Sequence, residues 1–392
     1  MNRPLKVGVF NDCNIPSHFA HSFNAMKMAQ GFHNLGCDTR VVTANSLLAL
    51  KRRLQYRDIP AHYGLNQPIK IHWKLPSIKK FISGYTQDDL CYASRAANFA
   101  RTEKLDLVFA RSFEVSIATI KLGLPTVMET HTTNYDHPSL NKIYSFANDE
   151  NFKGLVTIHE KIAEEHCKRG IPEDKLFVLE DGVDLTQFAI ADDQKQWQQQ
   201  LGLSTEYQYA VYCGHLYKEK GIQVILDAAQ RLQRFSNLRF VLAGGLDQDV
   251  QYWQQQCKER HINNIIFTGF IQNSHVPKYL KAADCLLLPY SNDIEYKVMD
   301  IHTTSPLKLF EYLAAGRPIV ATSNPTLTKI IQHEHDAILT ELGNIEAFCA
   351  GIELAIQKSP LQNQLSENAK STANQYTWDS RCQHIIDKVL NK

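Results

Sequence analysis

Short apolar runs separated by stretches of helical length recur along the whole chain. Lys6-Val7-Gly8-Val9-Phe10 predicts a first buried strand. Phe19, Phe23 and Met26, at i, i+4 and i+7, then begin a helix that Met28, Phe32 and Leu35 continue up to Gly36. Strand-like runs follow at 39–43, 69–73, 106–110, 125–129, 154–158 and 176–179. After a polar, glutamine-rich stretch at 191–200 a second series begins, at 209–213, 238–243, 264–267, 284–288 and 318–321. Strands alternating with helices imply parallel sheets covered on both faces. The pattern therefore predicts an α/β protein of two doubly wound, Rossmann-like domains, 1–188 and 189–376, with the last helical segment, 377–392, assigned to the first. Such sheets bind ligands beyond the carboxyl ends of their strands, and two that face each other make a cleft.

Composition narrows the class. At roughly 150 residues per domain, 392 residues suit two or three domains. A hydrophobic share of 44% with 21% charged residues is that of a globular chain. Forty-two basic against 41 acidic residues leave +1, without the basic excess that bulk nucleic acid demands of a partner. No apolar run approaches the roughly 18 residues that span a bilayer, and MNRPLKVGVF enters a strand without a signal-peptide core. Nine scattered cysteines without a C-x-x-C pair read as reduced thiols, and neither a disulfide framework nor a zinc site is expected. The expected location is cytoplasmic.

Two segments carry candidate chemistry. In SPLKLFEYLAAGRPIVAT, 305–322, Ser305 is placed as the N-cap and Pro306 as the first helical residue, and the helix closes at Gly316. Its free N–H groups, the Ser305 hydroxyl and the Lys308 ammonium form an anion site. Glu311 lies about one turn on, where a carboxylate accepts bonds from paired sugar hydroxyls. In YCGHLYKEKG, 212–221, Lys220 and Gly221 stand at the start of a helix whose Ile222, Ile225, Ala229 and Leu232 share one face. Each segment taken alone is also compatible with an ordinary capped surface helix.

Together with 238–245, 267–289 and LEDGVDLTQF at 179–188, these segments resemble the retaining nucleotide-sugar glycosyltransferases of GT-B architecture, family 4. The resemblance implies that Lys220 binds the donor diphosphate, with His215 where the family usually has arginine. It implies a phosphate-cradling turn at Ser305, Leu307 and Lys308. Glu311 matches the second glutamate of the family's E-x7-E motif and is expected on the ribose, while Thr303 replaces the first. Phe270 and Ile271 are expected to read the base through their backbone, and His131 to approach the transferred sugar. His131, Lys220 and Glu311 are thus the catalytic candidates. Asn14, Ser17 and His18 are acceptor-side candidates in a first loop that lacks the family's usual Gly-Gly. Asp181-Gly182-Val183-Asp184 resembles a structural turn at the interdomain hinge.

The implied activity is transfer from a nucleotide-sugar donor, UDP before GDP, to a sugar or lipid-linked acceptor in polysaccharide or glycoconjugate synthesis. No cofactor and no metal are expected. Asp247-Gln248-Asp249 has the D-x-D form used by metal-dependent transferases of another fold, but it reads as a loop. Lys51, Arg52, Arg53 and Arg57, with Lys70, Trp73, Lys74, Lys79, Lys80 and Phe81, form either a solvated face or a peripheral contact with the inner face of a membrane. Two other classes remain open: a sugar-nucleotide epimerase or hydrolase of the same fold, and a degenerate GT-B scaffold subunit.

Overall fold

Seven strands make the sheet of the first unit: β1 (Lys6–Asn14), β2 (Asp38–Ala44), β3 (Lys70–Lys74), β4 (Leu107–Ala110), β5 (Thr126–Glu129), β6 (Phe152–Thr157) and β7 (Leu176–Val178). Their order is β3-β2-β1-β4-β5-β6-β7, every neighbouring pair parallel. The central strands read as unbroken apolar runs because helices cover both faces. On one side Phe10, Val42 and Val108 pack with the helix Leu90–Thr102; elsewhere Met128, Phe152 and Leu155 pack with Phe113–Lys121 and Pro138–Tyr144. The computed structural model describes residues 3–290, 306–357 and 359–390. Ser305 and Thr303 therefore lie outside the described residues.

The second unit holds β8 (Gln208–Cys213), β9 (Leu238–Ala243), β10 (Ile265–Gly269), β11 (Cys285–Leu288), β12 (Ile319–Thr322) and β13 (Ile338–Thr340). These form another parallel sheet in the order β10-β9-β8-β11-β12-β13. All twelve strand-like runs read from the sequence are strands, shifted by a few residues at their ends. The three-residue β13 had no apolar run long enough to signal it.

The units comprise Met1–Asp181 with Trp378–Lys392, and Gly182–Thr377. The division falls at 181/182 rather than 188/189, because Val183 pairs with Thr377 and its N–H donates to the Tyr376 carbonyl at 2.9 Å. The last helix, Trp378–Leu390, packs on Ala20–Asn34 in the first unit. Gly31 permits that approach: a Cβ there would stand 2.8 Å from the Trp378 carbonyl oxygen.

The polar 191–200 stretch that joins the two series is ordered. It contains the helix Gln194–Gln200, capped by Asp193 and anchored where the Gln198 amide donates to the Ala282 carbonyl at 3.0 Å. Asp247 and Asp249 lie in the first turn of the helix Asp247–Glu259, where carboxylates oppose the positive end of the dipole, and not in a loop. Pro306 occupies the cap position of the helix Leu307–Ala315 rather than its first turn, with its carbonyl accepting from the Leu309 N–H at 2.7 Å.

Candidate functional site

In the second unit, Tyr312 holds the helix Leu307–Ala315 to the end of β8: its hydroxyl accepts a 2.8 Å bond from the Cys213 amide. Lys308 precedes Tyr312 by four residues and so lies one turn nearer the helix N-terminus on the same face. Its stem crosses Gly214 so closely that a Cβ on that glycine would come within 2.1 Å of Lys308 Cε. Its ammonium stands 5.2 Å from the centroid of the Tyr212 ring. Burial, then the charge of Lys220, brings the Lys308 ammonium down to about 7, with Cys213 and Glu311 opposing. Burial lowers Lys220 as well, against the pull of Glu219. An anion placed between these two ammonium groups favours the protonated form of both.

Lys220 ends the turn Lys218–Lys220, and Gly221, in the left-handed region at φ 73°, starts the helix Ile222–Arg231. Glu311 is half-buried beside these groups, and after burial itself it is the leading influence raising the Cys213 thiol. Leu307 is half-buried at the first helical position. His215 is held through its backbone, where its carbonyl accepts from the Tyr212 hydroxyl at 2.7 Å, and its ring stacks on Tyr217 at 4.9 Å. Phe270 is 44% exposed just past β10, while Ile271 packs against the core that contains Leu280 and Leu313. The structure thus gathers Lys220, Lys308, Glu311 and the Gly214 turn at the carboxyl end of β8.

In the first unit the counterpart is a charged network at the end of β5. Glu129 is 2% exposed. Its Oε2 accepts from Arg381 Nη1 at 2.9 Å, and its Oε1 lies 2.6 Å from His131 Nε2, 3.2 Å from Asn24 Nδ2 and 3.8 Å from Arg111 Nε. Burial opposes its charge, yet Arg381, Arg111 and His131 hold the carboxyl well below the usual carboxylate range. His131 is lowered by burial and then by Arg111, with Glu129 opposing. A neutral ring beside an ionised carboxylate donates its Nε2 proton to Glu129, which leaves Nδ1 as the acceptor nitrogen.

Among the described residues, Glu129, His131 and Asp181 bring three ligand-type atoms within 4.8 Å of one another. Two guanidinium groups already answer the Glu129 charge, so this set does not suit a cation. Two of the acceptor-side candidates serve the fold instead. Asn14 donates to the Gly84 carbonyl at 2.7 Å and accepts from Ser46 at 2.5 Å. Ser17 is 2% exposed, its hydroxyl donating to Ser22 and its amide to Tyr63. His18 alone of the three is half-buried, its pKa lowered by burial and by Arg52.

Two family models match the chain: Glycosyltransferase Family 4 over residues 25–187 and Glycosyl transferases group 1 over 193–372. The chain belongs to the GT-B glycosyltransferases of family 4. Among relatives of this family 4 chain, an uncharacterized glycosyltransferase of Methanocaldococcus jannaschii is 23% identical over 239 residues, 59% of this chain and 58% of that one. The D-inositol 3-phosphate glycosyltransferase of Jonesia denitrificans is 24% identical over 242 residues, 59% of this chain and 55% of that one. The family 4 chain thus spans somewhat over half the length of these curated relatives. Its fold is similar to that of HepE from Anabaena, crystallised with UDP and glucose, at TM-score 0.72 and 15% identity over 99% of this chain and 100% of that one.

Tyr312, Glu129, Arg111, Asn24 and Arg381 are not among the candidate residues that the sequence motifs mark. The last nonetheless carries a signal in its helical spacing. Trp378, Arg381, Cys382, Ile385 and Val389 form the buried stripe of their helix, and an arginine on an apolar stripe implies a buried partner.

Proposed function

We propose that this protein is a retaining glycosyltransferase that moves a sugar from a nucleotide diphosphate sugar, UDP before GDP, to a hydroxyl acceptor in glycoconjugate or polysaccharide synthesis. The carrying observation is Lys308 lying across Gly214, with Lys220 electrostatically coupled to it, at the carboxyl end of β8. As the anomeric C–O bond breaks, negative charge grows on the departing diphosphate, and both lysines answer it. One lysine–phosphate contact near 4 Å has a Coulomb energy of roughly 4 kcal/mol at an effective dielectric of about 20. If half of that develops only toward the transition state, the rate gains about thirtyfold.

Glu311, three residues after Lys308 on the same helix, accepts the ribose hydroxyls, and the backbone at Phe270 and Ile271 meets the base. His131 approaches the transferred sugar, and the leaving phosphate takes the acceptor's proton during same-face attack. The lysine pair supplies the counter-charge that other folds draw from a divalent cation, so transfer is expected to survive a chelator. The UDP and UDP-glucose complexes of HepE favour UDP as the first nucleotide to try.

A lipid-linked acceptor fits one further observation. On the helices Leu47–Gln55 and Ile78–Ser83, Leu54 is 73%, Ile78 81% and Ile82 63% exposed, and Lys51 and Lys79 stand exposed beside them. Apolar side chains rimmed by cations suit an anionic bilayer surface. Among the described residues, no helix is long and apolar enough to cross a membrane.

The test is a thermal-shift screen with UDP, GDP, ADP and their sugar forms. A true donor at a hundredfold excess over its dissociation constant adds about 2.7 kcal/mol of apparent stability. That gain disappears in Lys220→Ala. A screen in which no nucleotide sugar stabilises the wild-type protein overturns the reading.

A further inference from the structure

Arg381 lies on the buried stripe of the last helix and is 4% exposed. Its guanidinium makes a fork: Nε donates to the Glu180 carbonyl at 2.9 Å and Nη2 to the Leu179 carbonyl at 3.1 Å. A planar guanidinium held by two of its N–H groups has the directions of the remaining ones fixed as well. Nη1 is thereby fixed in direction: it donates one proton to Glu129 Oε2 at 2.9 Å and turns the other toward Met28 Sδ at 3.0 Å. The other oxygen of that carboxylate lies 2.6 Å from His131 Nε2.

We infer that Arg381 is a positioning residue for His131, acting through Glu129. The inference rests on the reading that His131 meets the transferred sugar. The groups facing His131 come from separate elements: Glu129 from the end of β5, Arg111 just after β4, and Asp181 beyond β7. Asn24, from the helix Ala20–Asn34, bridges Glu129 Oε1 at 3.2 Å and Asp181 Oδ1 at 2.8 Å. A carboxylate matched by a guanidinium does not draw the imidazole proton to itself. It receives the Nε2–H bond, holds the ring neutral in one tautomer, and turns Nδ1 into an acceptor for a sugar hydroxyl. Lysine at 381 would keep the charge but lose the fork that sets the direction of the Glu129 carboxylate.

The experiment compares wild type, Arg381→Met, Arg381→Lys and Glu129→Gln in the full chain labelled with ¹⁵N-histidine. The His131 resonances are assigned by their loss in His131→Asn. Wild type is expected to show a neutral Nε2–H ring at pH 7. In Arg381→Met, Glu129 loses its main counter-charge, and the His131 titration moves up by about one unit or more. For each variant, kcat with the nucleotide sugar that stabilises wild type most is expected to fall roughly ten- to a hundredfold for Arg381→Met, and KM for that donor to move little. Arg381→Lys is expected to fall between the two. In Glu129→Gln the titration moves down and the tautomers mix.

A merely structural Arg381 lowers the melting temperature but leaves the His131 titration, the tautomer and kcat per folded molecule unchanged, and that result overturns the inference. Should Arg381→Met fail to fold, Arg381→Lys and Glu129→Gln decide it by the same spectra. If wild type turns over no nucleotide sugar, the function reading fails while the histidine spectra still judge the relay.

Discussion

The side chain of Lys308 occupies the volume that a methyl group on Gly214 would need, with Cε 2.1 Å from where that carbon would lie. Gly214 also sits at φ 144°, a backbone region that side chains avoid. Gly214→Ala therefore displaces the ammonium and adds about 1–3 kcal/mol of backbone strain. UDP binding by calorimetry is expected to weaken at least tenfold, about 1.4 kcal/mol. Unchanged affinity would show that Lys308 does not meet the diphosphate.

Donor binding should depend on pH in a definite direction. The Lys308 ammonium sits at about 7 before a phosphate arrives, and bound anion raises it. Binding above pH 7 then takes up a proton, so affinity for UDP falls as pH rises from 7 to 9, by up to about tenfold per unit. Calorimetry in two buffers of different ionisation heat measures the uptake. In Lys308→Met the uptake should be reduced.

Lys220→Ala and Glu311→Ala should each lower kcat by roughly thirtyfold or more. Both groups are half-buried at the rim of the sheet rather than in its core, so circular dichroism and melting should stay close to wild type. Near-normal turnover in both variants would remove the donor-site assignment.

The Glu129–Arg381 pair also bears on stability. Its carboxyl is held well below its ordinary value, so the stabilisation is complete above that value and is lost as pH falls below about 4. Arg381→Met leaves a buried carboxylate without its main partner and should cost about 3–5 kcal/mol at pH 7. Denaturant unfolding at pH 7 and at about pH 3 checks both size and sign: the difference from wild type should shrink at the lower pH.

Ile78→Asp combined with Ile82→Asp removes two exposed apolar groups without touching a core residue. Cosedimentation with phosphatidylglycerol vesicles should drop roughly tenfold, and added salt should weaken wild-type binding. Equal sedimentation of wild type and variant would leave the basic face simply solvated.

Much of the site was legible because its signals are local. Lys308 and Glu311 share a face by helical spacing alone, and Gly221 marks a helix start that the φ of 73° bears out as a left-handed cap. Other expectations depended on what a side chain meets. Asn14 and Ser17 look like loop polar groups ready for a ligand, yet Gly84, Ser46, Ser22 and Tyr63 take up their hydrogen bonds. The 191–200 stretch displays only polarity in its sequence, yet one of its glutamines anchors it to Ala282.

By itself, the order of apolar runs and helix signals determined two parallel sheets and the positions of the helix starts that carry Lys220 and Lys308. Those features rest on periodicity and capping within a few residues, which a linear sequence displays directly. Only the tertiary structure decided that Tyr312 pins its helix to Cys213, that Lys308 lies across Gly214, and that Arg381 reaches Glu129 from 252 residues away. It also decided which ammonium and imidazole groups are held back from protonation. Desolvation and charge pairing depend on neighbours that folding brings together, and no local pattern encodes them.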